Sequence, residues 1–225
     1  MMESQVSRKT GIRFLEYALI AFAGLGIEVL LWFVLEPVIY GCQPGEWSTL
    51  QNICHWILTC ICWGAVFFFL SKNAKKECGY DLFAQQEKVK SWQWAVVAVL
   101  FALKLAYSWY DWNGSKVVRE FCANGWLKFI FQYIYYVFEI GLVYLIIAFG
   151  QKVFEAWFHH GARTMIPYGG LLAGLTWGLA HILTKGSLTG GLALLLISVV
   201  YGLTWLLLSR DIRKAFPVLY LMFVL

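Results

Sequence analysis

Six long apolar stretches, each bounded by polar or charged residues, divide this 225-residue chain: 14–35, 53–70, 92–107, 126–149, 169–184 and 188–208. Each approaches the ~20 residues that an α-helix needs to cross a hydrocarbon core, the third and fifth being marginal. A last stretch, 215–225, is about half a crossing long. The pattern predicts an all-α fold, a polytopic transmembrane helical bundle of about six to seven spans in one domain, 1–225. The first stretch follows Arg8, Lys9 and Arg13, as the apolar part of a secretory signal would. It is too long for one and no small-residue cleavage site follows, so it is expected to stay as the first span.

Composition agrees. The chain is 60% hydrophobic and 14% charged, with mean hydropathy +0.65. A soluble domain uses roughly 25% charged residues to cover its surface, so lipid must cover what water does not. The charges then set the topology. No Lys or Arg lies in 41–52, and only Lys116, Arg119 and Lys185 flank the spans on that side. Arg8, Lys9, Arg13, Lys72, Lys75, Lys76, Lys88, Lys90, Lys152, Arg163, Arg210, Arg213 and Lys214 fall on the other. The positive-inside rule therefore predicts a cytoplasmic N-terminus in a multi-pass protein of the cell membrane. The net charge of +5 reads as topology, and no nucleic-acid partner is expected, because no stretch alternates basic and aromatic residues in a polar setting.

Several features call for no special chemistry. Trp92, Trp94, Tyr107, Trp109, Tyr110 and Trp112 sit where spans should meet headgroups, as an aromatic belt does. The polar stretch 72–90 is expected as either an interfacial helix or a solvated loop. Cys42, Cys54 and Cys122 are expected near the outer face, where a disulfide is open to them. Cys60 and Cys62 lie inside a span, with a spacing that matches no usual zinc pattern.

Polar residues inside spans are costly and mark candidate sites. Glu28, Lys104 and Glu139 fall in the first, third and fourth apolar stretches. Pairing of Lys104 with Glu28 or Glu139 is the simplest way to lower the cost, and a transport pathway is the alternative. His55 and Asp111 lie near span ends and are expected to meet water.

Two clusters follow. The first is Glu155, Ala156, Trp157, Phe158, His159, His160 and Gly161; the second is Trp177, Gly178, Leu179, Ala180 and His181. On a helix Glu155 and His159 share a face while His160 points away. A carboxylate beside an imidazole serves as a general base or helps to hold a metal, and a helix end with snorkelling polar residues is the plain alternative. Gly170, Gly174 and Gly178 recur every fourth residue, a bare strip against which another helix can pack, with Gly191, Ser198 and Gly202 as its partners on the next span. His181 lies near that face and is expected to point into the bundle.

The stretch from about 138 to 225 resembles the CPBP family (CAAX proteases and bacteriocin-processing enzymes, also called Abi proteins). That family of intramembrane proteases has a Glu-Glu-x-x-x-Arg motif usually followed by Gly, then Phe-x-x-x-His one helix later, and a final His often followed by Asn. Glu155 and Gly161 match the first motif, Phe158 fits its apolar position, and Trp177 with His181 matches the second. Gly202 and 210–217 resemble the run leading to the last. Ala156 stands where the second Glu belongs, His160 where the Arg belongs, and around Tyr220 there is no His. The resemblance implies either an intramembrane endopeptidase or a catalytically degenerate relative acting through binding, of the immunity or accessory type. Its candidate catalytic residues are Glu155, His159, His160 and His181, with Glu155 as base and His181 as oxyanion donor. If His159 replaces the missing His, then Glu155, His159 and His181 form a ligand set for a divalent metal such as zinc, and the partner is a peptide or membrane-protein substrate. The alternative is a small-solute transporter or its membrane binding subunit, using Glu28, Lys104 and Glu139. Depth separates these readings: Glu155 is expected near the cytoplasmic face, and His181 lies ~20 Å along its helix from Tyr168.

Overall fold

The computed structural model describes residues 2–225, with side chains for 8–183 and 186–225; among these the fold is entirely helical, without strands. In chain order the helices are α1 (Met2–Leu30), α2 (Glu36–Tyr40), α3 (Thr49–Cys78), α4 (Ser91–Asp111), α5 (Lys116–Phe158), α6 (Tyr168–Ala173), α7 (Leu179–Lys185), α8 (Leu188–Leu207) and α9 (Ile212–Val224). Two π-helical turns join elements without breaking them: Leu31–Leu35 links α1 to α2, and Gly174–Gly178 links α6 to α7. Five helical stretches are long and apolar enough to cross a membrane: Arg8–Tyr40, Thr49–Cys78, Ser91–Asp111, Lys116–Phe158 and Leu188–Leu207; Tyr168–Leu183 is a shorter apolar one.

Local chemistry sets the ends. Ser48, Ser115, Ser187 and Asp211 each accept a backbone N–H of the first turn that follows, satisfying donors a helix start leaves open. Gly41 and Gly79 stop α2 and α3 in the left-handed conformation that only glycine adopts cheaply. Helix α3 thus runs on through Lys75 and Lys76, and the rest of the 72–90 segment is a loop without a helix of its own. All six cysteines are free thiols.

Helix α5 is the centre of the bundle. Every residue from Ile140 to Gln151 is buried, so this segment is wrapped on all sides. Phe14 and Tyr17 of α1 place their rings against Phe149, and Trp63 of α3 lies against Tyr135 while donating to the Gly24 carbonyl at 2.8 Å. Trp205 of α8 donates to the Tyr144 hydroxyl at 2.9 Å. Lipid tails are as apolar as leucine, so such contacts, together with close backbone approach, must hold the helices together. The expected glycine strip provides that approach. A methyl on Gly170 would lie 2.5 Å from the Ser198 carbonyl oxygen, and methyls on Gly174 or Gly178 would press on the Leu195 backbone. Gly169 is packed as tightly against the Ile147 carbonyl of α5.

Candidate functional site

The two sequence clusters occupy different levels of the bundle. Glu155, near the C-terminal end of α5, is 1% exposed. Arg210 reaches it from the turn between α8 and α9, where Ser209 and Arg210 both hold positive φ. The guanidinium donates Nη2 to Glu155 Oε1 at 2.6 Å and Nη1 to Oε2 at 3.0 Å, and Nη2 also donates to the Thr164 carbonyl at 2.8 Å. The Thr164 backbone N–H, the Gln151 amide and the Lys152 ammonium add donors at 3.0, 3.3 and 3.4 Å. A carboxylate offers about four lone-pair sites, and these donors take them. Glu155 thereby ties the 159–167 loop and the 208–211 turn to the end of α5. His159 meets the Tyr168 hydroxyl at 3.2 Å, while His160 is exposed at positive φ in the turn that ends at Gly161. Just beyond Arg210, the Arg213 guanidinium and the Lys214 ammonium hold the Asp211 carboxyl down to about 2.

His181 lies elsewhere. Helices α5 and α6–α7 run antiparallel, with Gly169 against Ile147 and Gln151, and Trp177 Nε1 donating to Glu139 Oε1 at 3.2 Å. His181 is one turn further from Glu155 than Trp177, and the rise from Glu139 to Glu155 alone is about 24 Å at ~1.5 Å per residue. The structure therefore brings His159 near the Glu155 end but does not bring His181 to either. Among the described residues no three His, Cys, Asp or Glu side chains stand close enough to share an ion, so Glu155, His159 and His181 do not fit one zinc.

What His181 does line is a cavity of about 1120 Å³ between α1, α4, α5, α7 and α8, and Glu28, Lys104 and Glu139 line it too. The cavity extends towards the helix ends that carry Asp111, Lys116 and Ser187, opposite the lysine-rich 72–90 segment. Its walls include Trp32, Trp112, Tyr136 and Trp177. Each of its glutamates is approached by an aromatic donor. Tyr135 donates to Glu28 at 2.6 Å and Trp177 to Glu139. Glu120 accepts from Tyr133 and Tyr136 at 2.9 and 2.7 Å, a fold-back made by the break in α5 at Gly125, whose φ is +68°. Lys116 donates to the Phe223 carbonyl at 2.8 Å and lies over the Phe223 and Tyr136 rings. His181 Nδ1 is 2.7 Å from the Trp177 carbonyl, a contact that requires the proton on Nδ1. Both π-helical turns border this space through Trp32 and Trp177, and such turns concentrate at functional sites.

Two sequence expectations are corrected by these contacts. Lys104 is 9% exposed, yet among the described residues it forms no ion pair with Glu28 or Glu139. His55 does not meet water: it is fully buried and bonded to Glu36 at 2.5 Å, a carboxylate 19 residues away on another helix. The Glu155–Arg210 pair has no counterpart in the sequence reading, because 55 residues separate its members and no local spacing points to it. No protein family, curated protein or solved structure matches this chain.

Proposed function

We propose that this chain binds a small polar solute within the membrane, as a carrier or as the membrane-bound binding subunit of one. The observation that carries the reading is the convergence of Glu28, Lys104, Glu139 and His181 on one aromatic-walled cavity. The charge pattern selects the solute. Lys104 is desolvated with no hydrogen bond or ion pair among the described residues; Lys116 repels it and Asp111 attracts it without closing a pair, which leaves the ammonium to an incoming carboxylate or phosphate. Glu28 and Glu139 offer the opposite charge across the same space, and tryptophan and tyrosine faces suit an ammonium or an apolar body. A small zwitterion fits both. With the N-terminus in the cytoplasm, as the charge distribution argues, the cavity opens towards the outer face. The peptidase reading is the weaker one, because its base would be Glu155, whose lone pairs are already taken by Arg210 and its neighbours.

The test is binding by the full-length protein in lipid nanodiscs, followed by thermal stabilisation and calorimetry with a panel of amino acids and betaines. Lys104→Met and Glu139→Gln should each weaken a binding zwitterion about 30- to 3,000-fold, the cost of ~2–5 kcal/mol for removing one partner of a desolvated charge pair. Glu155→Gln, at the far end, should leave affinity for the zwitterion unchanged. A panel without a single binder, or equal affinity in Lys104→Met and wild type, would sink the reading.

A further inference from the structure

Beside the cavity, on α1, α2 and α3, three acid–base groups stand in a row. His55 of α3 is completely buried, with Trp32 and Trp47 against its ring at 4.9 and 5.6 Å. Its Nδ1 is 2.5 Å from Glu36 Oε2, and its Nε2 is 3.9 Å from Glu28 Oε1. Glu36 is 1% exposed, whereas the Glu28 side chain is 32% exposed and forms part of the cavity wall. The π-helical turn makes this row. In an unbroken α-helix Glu28 and Glu36 would point ~80° apart, but one inserted residue makes them behave as an i,i+7 pair, ~20° apart. Both carboxylates then face the same imidazole.

The arrangement leaves bonds unmade. His55 Nε2, Glu36 Oε1 and Thr59 Oγ1, one turn along α3, are three of the four buried side-chain polar atoms that find no hydrogen-bond partner among the described residues. A buried donor or acceptor left so costs ~1–3 kcal/mol, and native structures keep few of them. A purely structural histidine would satisfy both nitrogens. This one bonds firmly to one acid and at 3.9 Å stands about 0.7 Å outside hydrogen-bond reach of a second, which is the geometry of a relay.

We propose that Glu36, His55 and Glu28 form a proton wire that couples occupancy of the cavity to proton movement towards the outer end of α2; the coupling, though not the wire, rests on the solute-binding reading. The step balances. A proton on Glu28 passes to His55 Nε2 as the proton on Nδ1 passes to Glu36, so one enters the ring as one leaves and no electrons are exchanged. Glu36 lies one turn before Tyr40, where α2 ends at the exposed Gly41, and this is the exit. A shift of Glu28 towards Nε2 closes the gap, and it is free to turn once a solute disturbs its bond to Tyr135. The ammonium of a bound zwitterion favours the Glu28 carboxylate, so binding drives a proton held on Glu28 along the wire. The titratable groups facing the wire are Glu28, Glu36 and Tyr40 on the first helical stretch, Cys54 on α3 and Tyr135 on α5.

The chain has only four histidines, which makes the wire directly observable. Full-length protein labelled with ¹⁵N-histidine in nanodiscs should show His55, assigned by its loss in His55→Gln, exchanging between its two tautomers. Glu28→Gln and Glu36→Gln should each freeze one tautomer while thermal stability shows that the fold is kept. A single fixed tautomer in the wild type, or a Glu28→Gln spectrum identical to it, overturns the wire. A second arm adds the best-binding zwitterion of the panel to unbuffered protein with a pH dye. Proton release on mixing that is slowed in His55→Gln or, if that variant does not fold, in Glu36→Gln, supports the coupling; release at the wild-type rate in the variant, or binding without release, overturns it. If no zwitterion binds while the tautomer exchange is present and sensitive to Glu28→Gln, the wire stands and the solute reading fails.

Discussion

The pair most exposed to refutation is Glu155 with Arg210. Both ends are buried, 1% and 8% exposed, and the contact is bidentate at 2.6 and 3.0 Å. Removing one partner of a buried pair leaves an uncompensated charge and costs ~3–5 kcal/mol, whereas removing both is often close to neutral. Arg210→Met should fall at the low end, because Lys152 at 3.4 Å and the Thr164 N–H remain with Glu155. Glu155→Gln should fall at the high end, since the guanidinium loses its counter-charge and keeps only neutral acceptors, the glutamine oxygen and the Thr164 carbonyl, beside the face of Trp205. The double variant Glu155→Gln/Arg210→Met should recover ~2–4 kcal/mol of the summed single costs, as groups in one ionic network do. Each kilocalorie moves the melting temperature of a domain this size by ~2–4 °C, so the singles should melt about 6–20 °C below wild type in detergent or nanodiscs. Single variants within ~1 kcal/mol of wild type, or a double variant costing the full sum, would mean that Arg210 does not occupy Glu155. The carboxylate would then be available for chemistry, and the peptidase reading would regain its base.

Gly170→Ala should destabilise the bundle by ~1–3 kcal/mol, because the methyl would meet the Ser198 carbonyl and backbone cannot move aside as a side chain does. Gly26→Ala, with nothing within 4 Å of its added methyl, should be neutral or stabilising by up to ~1 kcal/mol; equal effects in thermal unfolding would contradict the packing argument. Asp211 gives a pH dependence. Its carboxyl is held down by Arg213 first and Lys214 second, so its contribution is complete above the unfolded value of 3.8 and disappears as pH falls towards about 2. Asp211→Asn, which keeps a capping oxygen, should flatten the acid limb of the stability curve between those limits, and an unchanged limb would show the pairing to be idle. For topology, single-cysteine variants retaining Cys122 or Cys42 should react with an impermeant maleimide on intact cells, and one retaining Cys78 should react only after permeabilisation; the reverse pattern would invert the orientation.

The helices themselves were written in the sequence, because what makes them is local. Apolar length, serine and aspartate caps, and the glycines at 41 and 79 act over one or two turns, and lipid imposes helix on any span by demanding that every backbone group be satisfied within it. The glycine strip of 170, 174 and 178 was legible for the same reason, since a period of four on one helix needs no knowledge of its neighbour. Which side chains meet was not legible. Glu155 and Arg210, or Glu36 and His55, come together only after helices distant in sequence have been set side by side, and a slip of one turn, ~5.4 Å, would give each a different partner. The same rule separated the two clusters. Glu155 and His181 are close in sequence, but antiparallel helices that start at one end carry such residues apart, towards opposite ends of the bundle. Tertiary register alone decided that His181 joins Glu28, Lys104 and Glu139 around a cavity, and that Glu155 is bound in a salt bridge.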